Sequence, residues 1–137
     1  MLLLAWAIAL LGFTPATDTD SLTVDLTNIK GSEGEIVVLL YDSADTFMKT
    51  PTQTITVSPD SAEATVTFAD VPYGAYAISV LHDKNGNDEM DMRPNGMPDE
   101  GYAFSNGAGA MGPPSFSTAK FAFASNKRSQ TIKMIYW

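Results

Sequence analysis

Asp83, Asn85, Asn87 and Asp91 stand at offsets 1, 3, 5 and 9 of one oxygen-rich run, HDKNGNDEMDMRPNGMPDEGYAFSN, which spans residues 82–106. These are the offsets from which a calcium loop draws its oxygen ligands. The main-chain carbonyl of Glu89 falls at offset 7, and Asp99 or Glu100, further along, carries a carboxylate that would close the shell. The candidate metal ligands are therefore Asp83, Asn85, Asn87, Glu89, Asp91 and Glu100, and the candidate ion is calcium. Between Asp83 and Glu100 six acids face two bases, a net charge of −4 in 18 residues against −8 for the whole chain. Such a cluster repels itself unless something neutralises it. The match to an EF-hand is incomplete: offset 6 is Asp88 instead of Gly, offset 12 is Pro94, and no helical pattern flanks the loop. A polar turn is the competing reading, because Asn and Asp turn backbone unaided and Asn85-Gly86 and Asn95-Gly96 are turn dipeptides. One His and no Cys argue against zinc.

His82 opens a second chemistry, that of a hydrolase-type enzyme using this imidazole and the loop carboxylates. Asp83 is a poor partner for it, since neighbours on a strand point to opposite faces. Ser105 or Ser115 would have to be the nucleophile, and the chain has no G-x-S-x-G elbow. Hydrogen bonding of His82 to a loop carbonyl or carboxylate is the expected role, so no catalytic residue is assigned. Tyr102, Phe104 and Phe116 supply aromatic rings beside the loop, for a platform or for the core.

The elements that must position this loop read as strands. Leu22, Val24 and Leu26 alternate with polar residues, and residues 36–41 are apolar on both faces, the mark of a central strand. Residues 54–57 and 64–68 follow. Then Tyr76, Ile78 and Val80 alternate with smaller residues, and His82 keeps their parity on the buried side. Residues 116–123 and 131–136 complete seven strands, with residues 126–129 as a hairpin turn between the last two. Short strands punctuated by Gly, Pro and Asn indicate an all-β, antiparallel sandwich.

Length and charge narrow the function further. The 137 residues suffice for one core. The net charge of −8 argues against nucleic acid and against docking on anionic lipid. Without Cys there are no disulfides, thiolate nucleophiles or iron–sulfur clusters. The opening MLLLAWAIALLGF, ended by Thr14-Pro15-Ala16, reads as a signal peptide over residues 1–16, too short for a membrane span, with residues 17–137 as a single exported, periplasmic or secreted domain.

Two segments carry a family likeness. Phe68-Ala69-Asp70-Val71-Pro72-Tyr73-Gly74-Ala75-Tyr76-Ala77-Ile78 resembles the F-x-x-V/L-P-x-G-x-Y-x-I segment of transthyretin-like Greek-key sandwiches. The runs GAYAISVLHDKNGNDEMD, NGMPDEGYAFSN and GPPSFSTAKFAF resemble a family of small exported bacterial proteins, catalogued as a domain of unknown function, number 2141. The resemblance implies a prealbumin-like sandwich, the seven strands read above arranged as a Greek key, and an exported location. It implies no activity.

The reading is a small exported β-sandwich that binds rather than catalyses, its acidic loop ordered by calcium. The partner would be a small molecule, a carbohydrate, a peptide or an envelope protein. The alternatives are the His82 enzyme and a purely structural envelope protein.

Overall fold

Period-two alternation builds most of this molecule, because each strand must bury one face. The computed structural model describes residue 12 and residues 18–137. The expected leader, apart from residue 12, and its cleavage point after Ala16 lie outside the described residues. Two sheets pack face to face. The first has the order β4 (Ala64–Pro72), β1 (Thr19–Thr27), β8 (Ser129–Lys133). The second has the order β3 (Gln53–Val57), β2 (Glu35–Tyr41), β5 (Gly74–Asp83), with β6 (Tyr102–Phe104) and β7 (Phe121–Phe123) both paired to β5.

The core lies between them. Leu22, Val24 and Leu26 of β1 meet Val66 and Phe68 of β4 on one side and Ile36, Val38, Ile78 and Val80 on the other, in one buried cluster. β2 is central as its double-sided apolar run requires, lying between β3 and β5. β4 turns directly into β5 through Tyr73 alone. Asp70 adopts positive φ (53°) just before this corner, and the Tyr76 hydroxyl donates to the Pro72 carbonyl at 2.6 Å.

The structure corrects the strand set in three places. There are eight strands in place of seven, because Tyr102–Phe104, only three residues long, pairs with residues 79–81 of β5. Residues 116–119 form a short helix, α1, where a strand was expected: Ser115 Oγ accepts from the Thr118 N–H and caps it, a local hydrogen bond that competes with the strand ladder. The sandwich is not wholly antiparallel, since β1 and β8 run parallel, with Val24 opposite Gln130 and Leu26 opposite Ile132. The expected turn after β7 is real, with the Lys127 N–H bonded to the Ala124 carbonyl at 2.9 Å, but β7 and β8 belong to different sheets and do not form a hairpin.

One side chain repairs the edge of the second sheet. β6 covers residues 79–81 of β5 and β7 covers residues 74–76. In the gap, Ser105 Oγ accepts from the Ile78 N–H at 2.9 Å and donates to the Ala119 carbonyl at 2.6 Å. It thereby satisfies buried backbone groups that no strand reaches.

Ile78 is fully buried at the middle of β5. Ile78→Ala is expected to cost about 2–5 kcal/mol, the range for deleting a large side chain from a core. Urea melts measure this, and a loss under about 0.5 kcal/mol would place Ile78 outside the core.

Candidate functional site

The acidic loop leaves the end of β5, and the parity of that strand decides where its first two residues go. His82 points into the sandwich and has no exposed surface. Its Nε2 donates to the Glu33 carbonyl at 2.7 Å, since a carbonyl can only accept, and its Nδ1 lies 2.8 Å from the Tyr136 hydroxyl. Both ring nitrogens are thus engaged, and no Ser is among their partners. Ser105 is committed to the sheet edge and Ser115 to its helix cap. The imidazole is a tie between the turn before β2 and the C-terminal segment. Gly34 makes that turn possible: it has φ +72°, and a Cβ there would run into the backbone of Asp83 and Lys84.

Asp83 faces the other way and is also fully buried. Its carboxylate accepts from the N–H groups of Gly86 (3.0 Å), Asn87 (3.3 Å) and Asp88 (2.8 Å). Further on, Asn85 Oδ1 accepts from the Asn87 N–H and Asn87 Oδ1 from the Glu89 N–H. These are the local turns that short Asx side chains favour. Asp88, at offset 6, takes the left-handed conformation (φ 59°), so an Asp fills the position where an EF-hand has Gly.

Around this turn the structure gathers Asn85, Asn87, Asp91 and Glu100. The amide nitrogens of Asn85 and Asn87 donate to the two oxygens of Asp91, at 2.6 and 2.8 Å. Glu100, only 4% exposed, accepts from the Lys84 N–H (2.6 Å) and the Asp91 N–H (3.0 Å). The Asn87 amide, foremost, holds the Asp91 carboxyl below the usual range. Burial pushes Glu100 up, against its two N–H donors, and the neighbouring Asp91 carboxylate adds to the rise. Glu89, expected to contribute its main-chain carbonyl, is an exposed residue of the same turn. Among the described residues no three His, Asp or Glu side chains form a cluster able to hold a metal. Asp99 is drawn away into an ion pair with Arg93 at 3.2 Å.

A second feature was not anticipated from the sequence. A cavity of about 680 Å³ opens on the outer face of the second sheet. Its floor is Leu39, Tyr41, Ser79, Leu81, Tyr102 and Phe104. Five methionines from three separate segments line it: Met48, then Met90, Met92 and Met97 from the acidic loop, then Met111. Trp137 also lines it and is tied in place, its indole N–H donating to the Tyr102 hydroxyl (3.2 Å) and its carbonyl accepting from Arg93 Nη2 (2.9 Å). The polar atoms of the floor are occupied: the Tyr102 hydroxyl donates to the Gly109 carbonyl (2.9 Å), and Ser79 Oγ donates to the Tyr41 hydroxyl (3.4 Å). Tyr102 and Phe104 stack edge-on here, whereas Phe116 packs on Phe47 in a small second cluster. The readable signal was methionine density, since five of the chain's seven methionines serve this one cavity.

The family model described as "Uncharacterized protein conserved in bacteria (DUF2141)" matches residues 24–131. No curated protein and no solved structure matches the chain. Among the described residues no helix is long and apolar enough to cross a membrane.

The opposed shifts of Asp91 and Glu100 give a signed pH dependence. A lowered folded pKa contributes stability present above the unfolded value and lost as pH falls through the folded one. A raised folded pKa does the reverse, so Glu100 favours the fold at low pH and loses that contribution as pH rises through its own folded pKa. Asn87→Ala removes the main cause of the Asp91 shift. It is expected to destabilise the protein at neutral pH and to cost less below the Asp91 pKa. Urea melts across pH, with NMR titration of the two carboxyls, check it; a pH-independent cost would contradict the assignment.

Proposed function

We propose that this chain, which belongs to the DUF2141 family of uncharacterised bacterial proteins, is a binding protein for a small, predominantly apolar molecule held in the methionine-lined cavity. The observation that carries this is the cavity itself. Its volume of about 680 Å³ falls within the range of small-molecule sites. The Tyr102 and Ser79 hydroxyls at its floor already donate to protein acceptors, so a carbohydrate would find few partners there, while an apolar ligand strands neither donor. Methionine is unbranched and polarisable and adapts to ligands of varied shape. The apolar run at residues 1–13, ended by Thr14-Pro15-Ala16, supports export of the domain. The strand order β4-β1-β8 against β3-β2-β5-β6, with the corner at Tyr73, supports a prealbumin-like Greek key.

The test is uptake of an environment-sensitive apolar dye by the purified protein, with Leu81→Asp as the variant. Leu81 lies on the outer face of β5, at the cavity floor, and is only half-buried. Wild type is expected to bind, and the variant to bind at least tenfold more weakly, about 1.4 kcal/mol, with its β-sheet spectrum unchanged. A wild-type protein that leaves the dye dark would refute the reading.

A calcium-ordered rim is the second part of this proposal. Its support is that Asp91 and Glu100 lie together with, among the described residues, no cationic side chain bonded to either, next to a loop with the Asp83, Asn85, Asn87, Asp91 spacing. Amides of Asn85 and Asn87 now facing Asp91 would turn their oxygens to the ion. With about 1 mM calcium and a dissociation constant of about 0.1 mM, binding adds roughly 1.4 kcal/mol. Thermal melts should then rise by roughly 3–8 °C over a chelator control, and Asp91→Asn should abolish the rise. A midpoint unmoved by calcium would make the loop an ordinary turn.

A further inference from the structure

We infer that Met48, Met92 and Met111 form an oxidation site, and that hydrogen peroxide converts them to sulfoxides and so shuts the cavity to apolar ligands. The inference rests on the binding reading above and adds its regulation. These three thioethers are 55%, 56% and 101% exposed, and all three line the cavity. They come from three different segments: the loop after β2, the acidic loop, and the stretch before α1. Met90 and Met97 line the same wall but are half-buried. Met134 lies in the core, 1% exposed, and is an internal control. With no Cys in the chain, thioethers are the sulfur groups an oxidant can reach.

The chemistry is a two-electron transfer. The thioether sulfur attacks one peroxide oxygen, the O–O bond breaks, an S–O bond forms, and the other oxygen leaves as water, taking up the proton that the transferred oxygen gives up. Sulfur is oxidised and peroxide reduced. An apolar, flexible side chain becomes a polar one. At this rim the new sulfoxide oxygen needs a hydrogen-bond donor, and the nearby Tyr102 hydroxyl already donates to Gly109. The oxygen is then satisfied by water, and an apolar ligand must strip that water to enter.

The experiment compares wild type with the Met48→Leu/Met92→Leu/Met111→Leu variant, before and after peroxide, by peptide mass mapping and dye uptake. Leu and Met have similar volume, so the variant keeps the rim apolar. In wild type, one oxygen is expected on Met48, Met92 and Met111 before Met90, Met97 or Met134, with dye affinity falling at least tenfold as they fill. The triple variant should take up dye equally before and after. If wild-type uptake survives oxidation of the three residues, or the variant loses uptake as wild type does, the inference fails while the cavity reading stands. If untreated wild type takes up no dye, both fail.

Discussion

The double-sided burial of β5 is the constraint on which the rest of the structure depends. A strand presents alternate residues to opposite faces. Tyr76, Ile78 and Val80 turn inward and join the core with β1 and β4. Ala77, Ser79 and Leu81 turn outward, the first into the small cluster with Tyr41 and Phe47, the other two into the cavity floor. At its end the same alternation sends His82 into the interior and Asp83 into the base of the acidic loop. A shift of one residue in the β2–β5 register, where Val38 lies opposite Val80, would exchange core for cavity and imidazole for carboxylate.

Asp83 and Glu100 show how the loop tolerates its own charge. Both are buried, and both are surrounded by backbone N–H donors. A carboxylate that accepts several N–H bonds has its lost hydration replaced by oriented dipoles. The −4 of the segment is therefore partly met by the polypeptide itself. Beyond that turn, Arg93 binds Asp99 on one side and the Trp137 carbonyl on the other, so a base of the loop also fixes a wall of the cavity. Loop and cavity share Asp88, Met90, Met92 and Met97.

Much of this was legible in the residues, for reasons that can be named. The alternation of Leu22, Val24 and Leu26 and of Tyr76, Ile78, Val80 and His82 reports burial directly, because one face of each strand is in the core. The Val71–Gly74 corner was legible because Pro narrows the backbone's choices and Gly widens them. Tyr102–Phe104 escaped notice because three residues are too few to display a period, and residues 116–119 misled because Phe and Thr favour strands while the decisive event was the Ser115 cap. The ligand spacing at Asp83, Asn85, Asn87 and Asp91 specified a turn whose inner hydrogen bonds the structure contains. It did not specify which end of each amide faces the centre: the nitrogens of Asn85 and Asn87, not their oxygens, meet Asp91. The cavity was invisible because it is assembled from segments distant in sequence, Leu39, Met48, Leu81, Met111 and Trp137. Only the methionine count hinted at it.

The serine splice at the sheet edge has a bearing on how copies of this protein meet. An uninterrupted outer strand offers a row of free amide and carbonyl groups on which another chain can add itself. Here the outer position along β5 is divided between two strands of three residues, with Ser105 joining them and α1 folded in between. No run of free backbone groups long enough to template a foreign strand is left along that side. A hydroxyl that completes the ladder from within thus shortens the open edge on that side, leaving β3 and β4 as the longer outer strands of the two sheets.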